Sequence, residues 1–170
     1  TDGFRLVEGS EELLKNMFIV WIDINKKGRL LSHNEAIIPF AFECSVTGKP
    51  LYVEDYLKRD ENGKILNELD LDRCPESILK AIGYRIPTQA HNSMKALKIV
   101  GFLPTIMGSS AIVSKELIAQ MGSDFDIDKI YLYLSSVYTF SKDQVNLSYE
   151  NKFLEQVYYE GTDKDSKGTV

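Results

Sequence analysis

Residues 111–134 read AIVSKELIAQMGSDFDIDKIYLYL, and three elements are legible in them. Ala111 to Val113 form a short apolar run of the kind that makes a buried strand. Ser114 follows at the head of a helical stretch, Ser114 to Met121, where its hydroxyl can cap the first turn. After Gly122-Ser123 and an acidic run comes a second predicted strand, Lys129 to Leu134. Upstream, Lys98 to Phe102 predicts another strand, parted from Ala111 by Pro104 and Gly108. Further back, Pro75 to Ile82 predicts a helical turn closed by Gly83, since glycine favours helix C-termini. Lys58 to Asp72 is polar, with Asp60-Glu61-Asn62-Gly63 at its tip, and reads as an exposed hairpin or loop. Before it lie an apolar stretch, Ala36 to Phe42, a turn at Thr47-Gly48-Lys49-Pro50, and a short predicted strand, Leu51 to Val53. Nearest the start, a helix over Glu11 to Asn16 runs into a predicted buried strand, Met17 to Ile22, with Trp21 in the core, and Asn25 to Gly28 makes a turn. Many short strands with one or two helices point to an α+β chain built on a small mixed β-barrel.

The chain has 170 residues, a formal net charge of −5, 44% hydrophobic and 26% charged residues. That is ample for one core and excludes wholesale disorder. The acidic balance argues against a stand-alone module gripping duplex DNA by charge alone. The organisation predicted is a barrel-like domain over 1–140, with its acidic loop at 122–130, and a polar arm over 141–170 containing one amphipathic stretch, Tyr149 to Tyr159. Cys44 and Cys74 lie far apart without a CxxC pattern, so they read as buried reduced thiols and not as a zinc site. No run is long and apolar enough for a membrane helix, and nothing at the start resembles a signal peptide. The missing initiator Met points to an excised piece.

Asp124, Asp126 and Asp128 alternate with Phe125 and Ile127. In extended chain this places three carboxylates on one face and two hydrophobes on the other. Three carboxylates so close repel and raise one another's pKa. A hard divalent cation resolves that, and Mg²⁺, with Mn²⁺ as a substitute, takes oxygen ligands while keeping positions for substrate phosphates. A merely solvated acidic run would lack the interleaved hydrophobes and the strand behind it. A calcium loop starting at Asp124 fails, because its sixth and twelfth positions are Lys129 and Ser135 where Gly and Glu are needed. Upstream, Pro87 helps hold Arg85-Ile86-Pro87-Thr88 extended, and the Arg85 guanidinium can fork onto a ribose hydroxyl or a phosphate.

The order Arg85-x-Pro87-Thr88, Phe102-Leu103-Pro104, Gly108, Ala111-Ile112 and Asp124-Phe125-Asp126-x-Asp128 resembles the catalytic barrel of DNA-dependent RNA polymerases. The likeness is closest to the single-chain enzymes of crAss-like bacteriophages, whose metal loop reads D-F-D-I-D. It spans Tyr84 to Leu134. It implies a double-psi β-barrel in which Asp124, Asp126 and Asp128 are the catalytic Mg²⁺ ligands and Arg85 senses the incoming ribose. The implied reaction is nucleotidyl transfer to a primer 3′-hydroxyl by a two-metal displacement. The implied partners are nucleoside triphosphates, a DNA template, the RNA product and a second barrel that this chain does not supply, so the isolated chain is expected to be inactive. The implied location is host cytoplasm or virion.

Three departures from the family pattern stand out. Ile127 replaces a glycine, Lys129 replaces a glutamine, and the stretch from Ser93 to Gly108 is longer than in cellular enzymes. Two readings from other classes stay open: a non-catalytic virion cargo or interaction fragment derived from such a polymerase, and a metal-dependent glycosyltransferase using a DxD-type loop. His33 and His91 read as lone surface or satisfied histidines. Tyr131 and Tyr133 read as packing residues and not as a base-stacking platform, and Lys95 and Lys98, with Arg85, offer only a weak phosphate path.

Overall fold

A computed structural model describes residues 3–84, 94–104, 108–120, 129–134, 137–138 and 146–147. Eleven strands and two short α-helices are present among them. Six strands close a mixed barrel: β1 (Phe4–Glu8), β8 (Ser110–Val113), β3 (Glu35–Pro39), β7 (Met94–Leu103), β6 (Lys80–Tyr84) and β9 (Lys129–Leu134). Neighbours in the ring follow that order, and β9 returns to β1. The β1–β8 and β3–β7 pairs are parallel and the other four are antiparallel. Three strands extend the sheet beyond β7: β2 (Val20–Trp21), β5 (Ile65–Leu69) and β4 (Leu57–Arg59).

Strand alternation divides the apolar side chains into two layers. Phe4, Leu6, Ala36, Ile38, Ala81, Leu97, Ile99, Ala111, Val113 and Ile130 belong to the barrel core. Ile37, Val100, Leu103 and Ile112 join Leu14, Ile19 and Trp21 in a second cluster, under α1 (Glu11–Asn16) and β2. The two layers can share β7 because its register slips against β3: Ala36 faces Ile99, whereas Ile37 faces Gly101. Val100 is the additional residue of this bulge. A bulge restarts the alternation, so Ile99 and Phe102 both belong to the barrel core while Val100 and Leu103 belong to the outer layer.

One end of the barrel is plugged. Phe40, just past the end of β3, packs edge-on against Phe102 at 5.0 Å and Phe42 at 4.8 Å, with Tyr56 alongside at 6.1 Å.

Several expected elements appear with the bounds read from sequence. The Glu11–Asn16 helix, capped by Ser10, and the Lys129–Leu134 strand are both present. The polar hairpin also forms: β4 and β5 pair antiparallel, and Asp60 accepts backbone hydrogen bonds from Asn62 and Lys64 at the turn. Trp21 is core, and Cys44 and Cys74 are buried thiols with no disulfide.

Three expectations are corrected. The strand expected over Met17–Ile22 is only Val20–Trp21, because Met17 caps α1 and Phe18 is exposed. Leu51–Val53 forms no strand; Val53 instead opens a 3₁₀ turn, Val53–Tyr56, that buries Val53 and Tyr56. The helical turn over Pro75–Ile82 stops at Leu79, and Gly83 lies inside β6. The Tyr149–Tyr159 stretch lies outside the described residues. β10 (Val137–Tyr138) and β11 (Asn146–Leu147) form a separate antiparallel pair on either side of residue 140.

Candidate functional site at the open mouth of the barrel

The strand directions sort the connections between the two ends of the barrel. β6 ends at Tyr84, and β7 begins at Met94 directly across from it. Tyr84 also faces Tyr131, near the start of β9. β8 runs antiparallel to β3, so its last residue, Val113, reaches the same end and leads into α2 (Lys115–Gln120). The two stretches that carry the expected chemistry, 85–93 and 121–128, are therefore bounded by strand and helix ends at one mouth, opposite the Phe40–Phe42–Tyr56 plug. Arg85, His91, Asp124, Asp126 and Asp128 themselves lie outside the described residues.

The frame around that mouth has a local cause at each point. Ser114 is buried, and its Oγ accepts a 3.1 Å hydrogen bond from the Leu117 amide, which fixes the first turn of α2 as expected. Leu117 and Ile118 bury the inner side of this helix in the barrel core. Ile130 anchors the start of β9 in the same core, at 0% exposure. The chain thus leaves and re-enters the barrel, around residues 121–128, from two firmly packed ends.

The other motif residues have structural roles. Phe102, Leu103 and Pro104 are buried at the far end of β7, and Ala111 and Ile112 are buried in β8. Gly108 has φ +76°, a conformation in which glycine is unstrained. Lys95 and Lys98 are separated by three positions in β7. Lys95 pairs with Gly83 on the inward register at the mouth, and Lys98 pairs with Lys80 on the outward register. They do not make one path. His33 is exposed.

Sequence reasoning missed an aromatic stack beside the mouth. Tyr84 lies 5.5 Å from Tyr131 and 5.0 Å from Tyr133, with the rings within 26° of parallel. Tyr133 is 48% exposed, so it is not a core residue. Burial first, and then the Tyr133 phenol beside it, push the Tyr84 hydroxyl above its ordinary pKa. The alternation Tyr131-x-Tyr133 was the available signal. It becomes informative only once the register sets Tyr84 opposite Tyr131, with its ring in contact with both.

Among the described residues no three His, Cys, Asp or Glu side chains come together as a metal site, and no helix is long and apolar enough to cross a membrane. No protein-family model matches the chain, and no curated protein matches it.

Proposed function

We propose that this chain is the catalytic-barrel part of a DNA-directed RNA polymerase of the phage single-chain type, with a double-psi β-barrel fold. The observation that supports this best is the closed six-stranded mixed barrel, with residues 85–93 and 121–128 both bounded at one mouth. In that reading Asp124, Asp126 and Asp128 hold Mg²⁺. Their donor set of three hard carboxylates on alternate residues suits that ion, which when bound supplies charge stabilisation to a phosphoryl group in transfer. Arg85 orients the ribose of the incoming nucleotide. Lys95, which pairs with Gly83 on the inward register at the same mouth, contributes a cation for its phosphates in that reading. The second barrel, the DNA template and the RNA product are partners of the whole enzyme.

The test is calorimetric titration of Mg²⁺ and Mn²⁺ into the wild-type chain and into Asp126→Asn. Saturable binding that the substitution abolishes supports the reading. Equal, feeble binding by both proteins overturns it for this chain. The expectation that the isolated barrel is inactive fails if the chain alone transfers nucleotides.

A further inference from the structure

We infer that the outward face of β9, β6 and β7 is a docking surface for single-stranded nucleic acid, separate from the barrel mouth. Cross-strand partners share a face, so the register places Tyr131 and Tyr133 beside Tyr84 on the outside, where their rings stack. Ile82, directly opposite Tyr133 and two residues before Tyr84 on the same face of β6, is 2% exposed and gives the stack an apolar floor. Tyr133 and Met94 are 48% and 50% exposed.

Cations flank the stack on both sides. Arg5 and Lys129 stand directly opposite each other across the β1–β9 ladder, and both are exposed. Like charges so placed repel; among the described residues neither forms an ion pair, and a polyanion relieves the repulsion. Lys98, also exposed, lies at the diagonally opposite corner, three inter-strand steps across (about 14 Å) and some six residues along the strands (about 20 Å) from Arg5. No carboxylate occupies the outward positions of β9, β6 or the Met94–Lys98 part of β7; among the described residues the neighbouring acids Glu35 and Glu76 border the Lys98 corner, and Asp128, next to Lys129 in sequence, lies outside the described residues. In a chain of net charge −5 such a face stands apart. Parallel tyrosine rings accept bases without sequence preference, and flanking cations track the phosphates. An acidic protein segment would satisfy the cations but has no need of stacked rings.

The inference stands on this face alone and not on the aspartate loop, and the experiment is run in EDTA so that no metal site contributes. Fluorescence anisotropy of a labelled oligothymidylate is measured against the wild-type chain and against Tyr133→Ala, Arg5→Glu and Lys98→Glu, each checked for folding by circular dichroism. The expected result is salt-sensitive binding, weakened about tenfold by Tyr133→Ala, with a shallower salt dependence in each charge reversal. Absence of binding by the wild-type chain overturns the inference, as does equal binding by all four proteins. Iodination of Tyr133 tests the competing occupant. If Tyr133 is protected in the intact chain and exposed after removal of residues 148–170, the chain's own C-terminal stretch covers this face, and the inference fails.

Discussion

A Cβ on Gly83 would stand 2.8 Å from Cδ1 of Ile130. It would also meet Cδ1 of Leu97 at 2.9 Å, because Gly83 faces the barrel core from the middle of β6. Gly83→Ala is therefore an overpacking substitution, expected to cost about 1–3 kcal/mol in urea unfolding. Ile130→Val removes the nearer clashing methyl. Its own cost, about 1 kcal/mol in the wild-type background, should shrink or reverse in the Gly83→Ala background. Additive losses would mean that the two residues do not compete for the same space.

The Ser114 cap is the second point of leverage. Ser114→Ala leaves the Leu117 amide without its 3.1 Å partner in a buried setting. We expect a loss of about 1–2 kcal/mol. Amide exchange at Leu117 and Ile118 should quicken, whereas the β2–β5 extension stays protected. Unchanged exchange in α2 would refute the cap.

Cys74 gives a pH signature. Burial is the main cause that pushes its thiol up to about 12, with nearby Asp70 adding and Arg73 opposing. The folded chain favours the neutral thiol, so the unfolded chain releases this proton first as pH rises past the ordinary thiol range. Stability contributed by the neutral thiol is intact below about pH 9 and is lost as pH climbs toward 12. Cys74→Ala should flatten that alkaline decline in a urea-unfolding series. In the folded protein at pH 8, Cys74 should resist alkylation until denaturant is added.

Glu68 joins three segments and Lys58 only two. The Glu68 carboxylate accepts the Ile24 amide at 2.8 Å and pairs with Lys58 Nζ at 3.1 Å. Lys58 is half exposed, so Lys58→Ala should cost less than about 1 kcal/mol. Glu68→Ala also strips the Ile24 amide of its acceptor and should cost about 1–2 kcal/mol. Thermal melts of the two variants separate the effects, and equal losses would reduce Glu68 to an ordinary surface partner.

Elements whose causes are local could be read from sequence, and those set by distant neighbours could not. The Ser114 cap, the Asp60–Gly63 turn and the apolar Lys129–Leu134 strand each carry their reason within a few residues. Gly83 reads as a helix stop, since its actual role is to leave room between Ile130 and Leu97, residues that only the closed barrel brings to it. Val53 reads as a strand residue, yet the plug of the barrel draws it into a 3₁₀ turn. The tyrosines were visible but not their stacking, which depends on the β6–β9 register. The alternating aspartates were the plainest chemical signal, and the fold supplies the mouth at which their stretch is bounded.

The seat of β1 has a consequence for the birth of the molecule. Phe4–Glu8 is inserted between β8 and β9, strands that follow it by on the order of a hundred residues. On a ribosome adding about 5–20 residues per second, the earliest strand emerges roughly ten seconds before its last partner exists. During that interval its edges are bare, and the ring is an open ribbon. Closure is thus a late event governed by the β1–β9 pairing, the most distant strand pairing among the described residues, which places this barrel among the slow folders and makes the nascent state its most vulnerable form.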